Sequence, residues 1–177
     1  MITLRPATMD DIEILRHWDE QPHVIESDPD TDWKWEVELR RDPDWREQLI
    51  AECDGIPIGM VQIIDPVRED SHYWGEIEEN LRAIDIWIGE VEFLGRGFGT
   101  TMMNLALGKC FSNPLVQSVL IDPLASNLRA HRFYERIGFR FVEEREFGGE
   151  LCHVYSISRS DFEKKKDVMN RPGFAGE

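Results

Sequence analysis

The 177-residue sequence predicts a mixed α+β domain, a central mixed β-sheet flanked by helices on both faces. Three observations carry that prediction. Apolar runs on either side of Asp54-Gly55, in "WREQLIAECDGIPIGMVQII", make a hairpin, because this dipeptide readily adopts the backbone of a two-residue turn. A second hairpin follows from "GFRFVEEREF", "GGE" and "LCHVYSIS". Between them, "AIDIWI" and "VQSVLI" are separated by a helical stretch, the crossover that parallel neighbours require.

The elements follow in order. "ITLRPA" is a first strand, and "TMDDIEILRHWDE" a helix with Ile12, Leu15 and Trp18 on its apolar stripe. Thr8 and Asp11 have the spacing of a capping box. "SDPDTDWKWEVELRRDP" is irregular and ends in a short amphipathic helix before Pro43. After the first hairpin, the polar stretch "DPVREDSHYWGEIEENLR" leads to the buried strand "AIDIWIGE". A glycine-rich loop and a helix to about Phe111 come next, then the strand "VQSVLID". "SNLRAHRFYERIGF" is a helix that Gly138 stops. Residues 1–160 form one domain, and residues 161–177 form a short helix, capped by Ser160, and a frayed tail.

Composition limits the function classes. Hydrophobic residues make up 41%, which suits a packed core. No apolar run approaches the roughly 20 residues of a membrane span, and the N-terminus carries no secretory pattern. Cys53, Cys110 and Cys152 are odd in number and far apart, as expected of free thiols in a cytoplasmic protein. The net charge of −15 argues against a nucleic-acid partner. It either keeps the chain soluble or, if the acids line a cleft, concentrates a polycationic ligand. His17, His23, His72, His131 and His153 show no metal-ligand spacing, so no metal is expected.

"LGRGFGT" places Gly95, Gly97 and Gly99 at alternate positions, with Arg96 between them and Thr100 at the start of a helix. A helix start offers unpaired N–H groups and the positive end of the helix dipole, and glycines let an anion approach them. The spacing fits neither a Walker loop nor a dinucleotide fingerprint, since no Lys-Ser or Lys-Thr follows and G-x-G-x-G replaces G-x-G-x-x-G. A tight turn that binds nothing is the alternative.

With its surroundings, the loop resembles the GCN5-related N-acetyltransferase superfamily over roughly residues 2 to 158. "ITLRPATMDDI", "AIDIWIG", "LGRGFGT" and "DPLASNLRAHRFYERIGF" carry the likeness. A closer likeness is to aminoglycoside 6′-N-acetyltransferases, seen in "GIPIG", "YWGEIEENLRAID" and the Leu94 that opens the loop. The resemblance implies the acetyltransferase fold and acetyl-CoA as co-substrate. Its pyrophosphate would lie on Gly95, Arg96, Gly97, Gly99 and Thr100. Its pantetheine arm would pair along Ile86, Trp87 and Ile88, and Asn127 would reach the same cofactor.

Acetyl transfer to an amine needs a base for the ammonium and an acid for the leaving thiolate. Alternation puts Ala83, Asp85 and Trp87 on one strand face and Ile84, Ile86 and Ile88 on the other. A carboxylate in such a strand needs a partner. Asp85 is therefore either salt-bridged or, as the resemblance implies, the general base, acting directly or through water. Its usual pKa of about 3.9 would have to rise through burial. Asp122 ends the neighbouring strand, where the resemblance implies an anchor for a substrate ammonium and a turn cap is the alternative. Tyr134 is either core or the acid, its pKa of about 10 suiting a thiolate of about 8.5. Trp74, Glu76, Glu78 and Glu79 form an acidic, aromatic loop that suits a cationic sugar, or else is simply solvated. The 23–32 segment is a second acidic loop.

The expected reaction is acetylation of the 6′-amine of an aminoglycoside, conferring resistance, by a monomer or homodimer. The alternatives are the same fold acylating a siderophore-type hydroxylamine or a lysine derivative, or a non-catalytic protein that binds acetyl-CoA or a drug.

Overall fold

The computed structural model describes residues 1–29 and 32–169, with side chains as far as Asp167. Seven strands form one sheet: β1 (Ile2–Pro6), β2 (Arg46–Cys53), β3 (Ile56–Ile64), β4 (Leu81–Ile88), β5 (Ser118–Ile121), β6 (Arg140–Phe147) and β7 (Glu150–Ser158). Their order is β1-β2-β3-β4-β5-β7-β6, and every pairing is antiparallel except β4 with β5. The helices are α1 (Ile12–Asp19), α2 (Pro22–Ile25), α3 (Trp35–Glu38), α4 (Phe98–Ser112), α5 (Leu128–Ile137) and α6 (Arg159–Met169).

Both hairpins fall where the turn chemistry puts them. Asp54 and Gly55 have φ of 50° and 83°, the positive values that a primed turn requires. The crossover from β4 through α4 to β5 makes the parallel pair. α2 has no counterpart among the expected elements. Its four residues begin at Pro22, and its amides bond back to Gln21 and Pro22.

The two sheet faces bury different clusters. On one, Ile84, Val119 and Ile121 pack with Met102, Met103 and Leu107 of α4 and Tyr134 and Ile137 of α5. On the other, Trp18 of α1 and Trp35 of α3 pack over Ile50 and Met60. Trp74, Phe147 and Leu120 make a separate cluster on that same face.

Of the two expected caps, the Thr8–Asp11 capping box is present and the second moves. Asp11 accepts from the Thr8 amide at 2.7 Å and also from the Thr8 hydroxyl, and Arg5 pairs with the same carboxylate at 2.7 Å. Ser158, not Ser160, caps α6, accepting from the Asp161 amide at 3.1 Å. α6 begins at Arg159, whose guanidinium donates to the carbonyls of Phe111, Asn113 and Val116, while Phe162 stacks on Phe111. The expected tail beyond Met169 lies outside the described residues.

Candidate active site

The glycine loop follows β4 through a short 3-10 turn at Val91–Phe93. Gly95 and Gly97 have φ of +70° and +85°, and a Cβ at either would point into open space. Gly97 is the N-cap of α4. The amides of Thr100 and Thr101 donate to the Gly97 carbonyl, whereas those of residues 95 to 99 have no acceptor among the described residues. Five consecutive unpaired N–H groups at the positive end of a 15-residue helix form an anion cradle. The Thr100 amide is therefore spent within the helix, leaving its hydroxyl, and the Phe98 amide joins the set. Arg96 rests over Phe93 and Phe98 beside the cradle.

β4 and β5 diverge next to this cradle. They pair only from Leu81↔Ser118 to Ala83↔Leu120. Beyond that, β4 runs on to Ile88 paired to β3 alone, so its edge toward β5 is open along Ile86, Trp87 and Ile88 except at the Ile88 carbonyl. At the far end, the His23 ring donates to the Ile88 carbonyl at 2.9 Å and ties α2 to the strand. Gly89 allows the closure of α1 there, because a Cβ would lie 2.1 Å from the Trp18 ring.

Asp85 lies two residues past Ala83 and Asp122 two past Leu120, the last pair of the ladder, so both acids stand where the strands part. Asp85 accepts from the Gln62 amide at 2.8 Å, and burial raises its pKa. Asp122 accepts from the Tyr73 hydroxyl at 2.6 Å. Burial, together with the charge of Asp85, pushes the pKa of Asp122 up to about 7 against the opposing Tyr73 hydrogen bond. Asp28 also acts electrostatically on Asp122, which brings that residue to the site. Tyr134 is buried in the α4–α5 core with its pKa raised by burial and then by Asp122 and Asp85, so the three groups share one electrostatic environment. Its hydroxyl makes no hydrogen bond among the described residues.

Other expected residues lie apart from this centre. Trp74 is only 2% exposed, its ring packed edge-on against Phe147 in the core, so stacking on a sugar is corrected to a structural role. The exposed ring is its neighbour Tyr73, stacked on Phe147 at 4.5 Å. Glu76 and Glu78 border a cavity of about 520 Å³ over Leu81, Leu120 and Val154, and Glu79 is solvent-exposed. None of these three acids is among the charges acting on Asp85 or Asp122. Asn127 caps α5, its side-chain oxygen accepting from the Ala130 amide at 3.0 Å, which leaves its amide nitrogen to reach outward.

Sequence reasoning missed Tyr73, Gln62 and the electrostatic contact of Asp28. Gln62 did leave a signal, as a lone amide inside the apolar run "IPIGMVQII". Among the described residues, no group of His, Cys, Asp and Glu is placed to hold a metal, and no helix is long and apolar enough to cross a membrane.

A family model described as an acetyltransferase (GNAT) domain matches residues 7–147. The chain is 30% identical over 152 residues to the aminoglycoside N(6′)-acetyltransferase type 1 of Klebsiella pneumoniae, spanning 78% of this chain and 73% of that one. It is 24% identical over 168 residues to the lysine N-acyltransferase MbtK of Mycobacterium tuberculosis, spanning 87% and 76%. Its fold matches the crystal structure of aminoglycoside acetyltransferase AAC(6′)-Ib in complex with coenzyme A and kanamycin, with a TM-score of 0.83 and 26% identity over 94% of this chain and 99% of that one.

Proposed function

Since the chain belongs to the acetyltransferase (GNAT) domain family, we propose that it acetylates the 6′-amino group of an aminoglycoside antibiotic and so confers resistance. It is an N-acetyltransferase, and acetyl-CoA is its acyl donor. The observation that carries the acceptor reading is the pair of carboxylates, Asp85 on β4 and Asp122 just past β5, in electrostatic contact where the two strands part. Two acids in one recess, with Asp28 acting on one of them, suit a molecule that carries several ammonium groups.

The residues fit the donor. The unpaired amides of Gly95, Arg96, Gly97 and Gly99, with the Thr100 hydroxyl, would hold its pyrophosphate. The open edge of β4 along Ile86, Trp87 and the Ile88 amide would take the pantetheine amides as a further strand takes its neighbour, and the Asn127 amide nitrogen, not used in capping α5, would donate to the same cofactor. When bound, acetyl-CoA supplies an acetyl group on a thiolate leaving group.

Asp85 takes the proton from the acceptor ammonium, directly or through water, which exposes the nitrogen lone pair. Its raised pKa makes it a better base than an exposed aspartate. Asp122 pairs with an ammonium and orients the acceptor. Tyr134 holds a proton on a hydroxyl with no hydrogen-bond partner among the described residues and gives it to the departing thiolate. Glu76, Glu78 and Glu79 contribute to the acidic rim without touching this centre.

The test is thiol release from acetyl-CoA over a panel of amines. Kanamycin and tobramycin should turn over, and an aminoglycoside with a 6′-hydroxyl should give little. No turnover with any aminoglycoside would sink the acceptor while leaving the family intact. The second reading, acylation of a lysine-type amine, rests on the likeness to MbtK. The panel therefore includes lysine and N-hydroxylysine derivatives, tested with acetyl and longer acyl donors.

A further inference from the structure

The sheet face that carries Asp85 is apolar on either side of one polar row. Toward one end lie Ile64, Ala83 and Trp74, and toward the other Ile50, Met60 and Trp87. Between them, Gln48, Gln62 and Asp85 are direct cross-strand partners on β2, β3 and β4. The Gln48 amide donates to the Gln62 oxygen at 3.0 Å, and the Gln62 amide donates to the Asp85 carboxylate at 2.8 Å. Gln62 is only 8% exposed. A buried amide between two apolar clusters costs free energy unless both of its ends are satisfied. Here they are. An ionised Asp85 can only accept, so Gln62 presents N–H to it and takes the Gln48 N–H on its oxygen.

We propose that Gln62, oriented by Gln48, is the positioning residue for Asp85, holding one carboxylate oxygen so that the other faces the acceptor amine. This rests on the reading of Asp85 as the base. A donor aimed at the carboxylate favours its charged form and opposes the burial that favours the neutral one. Among the described residues, Asp122 just past β5, Tyr73 from the loop before β4 and Tyr134 from α5 are titratable groups in electrostatic contact with Asp85. None of them supplies a cation, so Gln62 provides the neutral stabilisation in this acidic recess.

The experiment compares wild type with Gln62→Met, which keeps the volume and removes the donor, and with Gln48→Met, which removes only the orienting group. Two quantities are read: the titration of the Asp85 carboxyl carbon by NMR, and kcat/KM for kanamycin against pH. In Gln62→Met the Asp85 midpoint and the acid limb of the profile should both move up by about one pH unit. Below the limb, kcat/KM should fall about tenfold, with little change above it. Gln48→Met should move both in the same direction by less. Loss of thermal stability with both midpoints unmoved would reduce Gln62 to a structural residue and overturn the proposal, as would an NMR midpoint that shifts while the profile does not. Full activity in Asp85→Asn would instead remove the base itself, a failure separable from this one because the NMR titration needs no turnover.

Discussion

Asp85 and Asp122 are two acids in electrostatic contact, each with its pKa raised by burial, and their chemistry follows from that. Asp85→Asn should cut turnover by about 100-fold or more, the usual loss on removing a general base, while coenzyme A binding measured by calorimetry stays within a few-fold of wild type. Asp122 supplies a pH dependence whose sign is fixed. Its pKa is raised to about 7, so its carboxylate forms above that pH and is neutralised below it. KM for a polycationic acceptor should therefore rise about tenfold between pH about 8 and pH about 6, the range over which the charged fraction of such an acid falls. Tyr73→Phe removes a hydrogen bond to the charged form. It should push the KM transition to higher pH. A KM independent of pH in both proteins would mean that Asp122 does not hold the acceptor.

At the scale of the element, the glycine loop and the parting of β4 from β5 act together. The loop's function comes from backbone, so it is tested through backbone. Gly97→Ala puts a Cβ into open space, and only the left-handed conformation is penalised. The expected cost is about 1–2 kcal/mol of stability, with a weaker affinity for coenzyme A by calorimetry and an unchanged acceptor KM. Gly89→Ala differs in kind, because the new methyl would meet the Trp18 ring. The resulting shift of α1 away from β4 should lower the melting temperature and raise the acceptor KM together. The hairpin at Asp54-Gly55 and the stop at Gly138 were legible because a positive φ selects few residues. α2 was not. It is one turn long and held by packing against β4, through His23 on Ile88, more than by its own sequence.

Over the whole molecule, the net charge of −15 should draw a polycation from a distance. Raising salt from about 0.05 to about 0.5 M should lower kcat/KM for kanamycin several-fold, since the Debye length shrinks over that range. The acetyl-CoA parameters should not fall with it, because that ligand is anionic. Trp74 belongs to the same scale. Trp74→Ala should destabilise the protein by about 3–5 kcal/mol in denaturant unfolding, the cost of emptying a core site of that size. A substrate-stacking residue would change KM alone.

What the sequence determined by itself was whatever local backbone chemistry and strand alternation dictate. The order of strands and of every helix but α2, the turns, the glycine loop and the side of β4 on which Asp85 lies all follow from residue type and spacing. The family followed from motifs that combine those features. Tertiary structure alone decided which neighbours share a recess. Tyr73 and Trp74 are adjacent in "YW", yet one ring is buried against Phe147 while the other's hydroxyl reaches Asp122. Alternation inside an irregular loop has no fixed period from which to tell them apart. Gln48, Gln62 and Asp85 are spread over 38 positions in sequence and become one hydrogen-bonded row only when three strands take their register. Register is fixed by burying both apolar clusters at once, a condition on the whole sheet that no single segment contains.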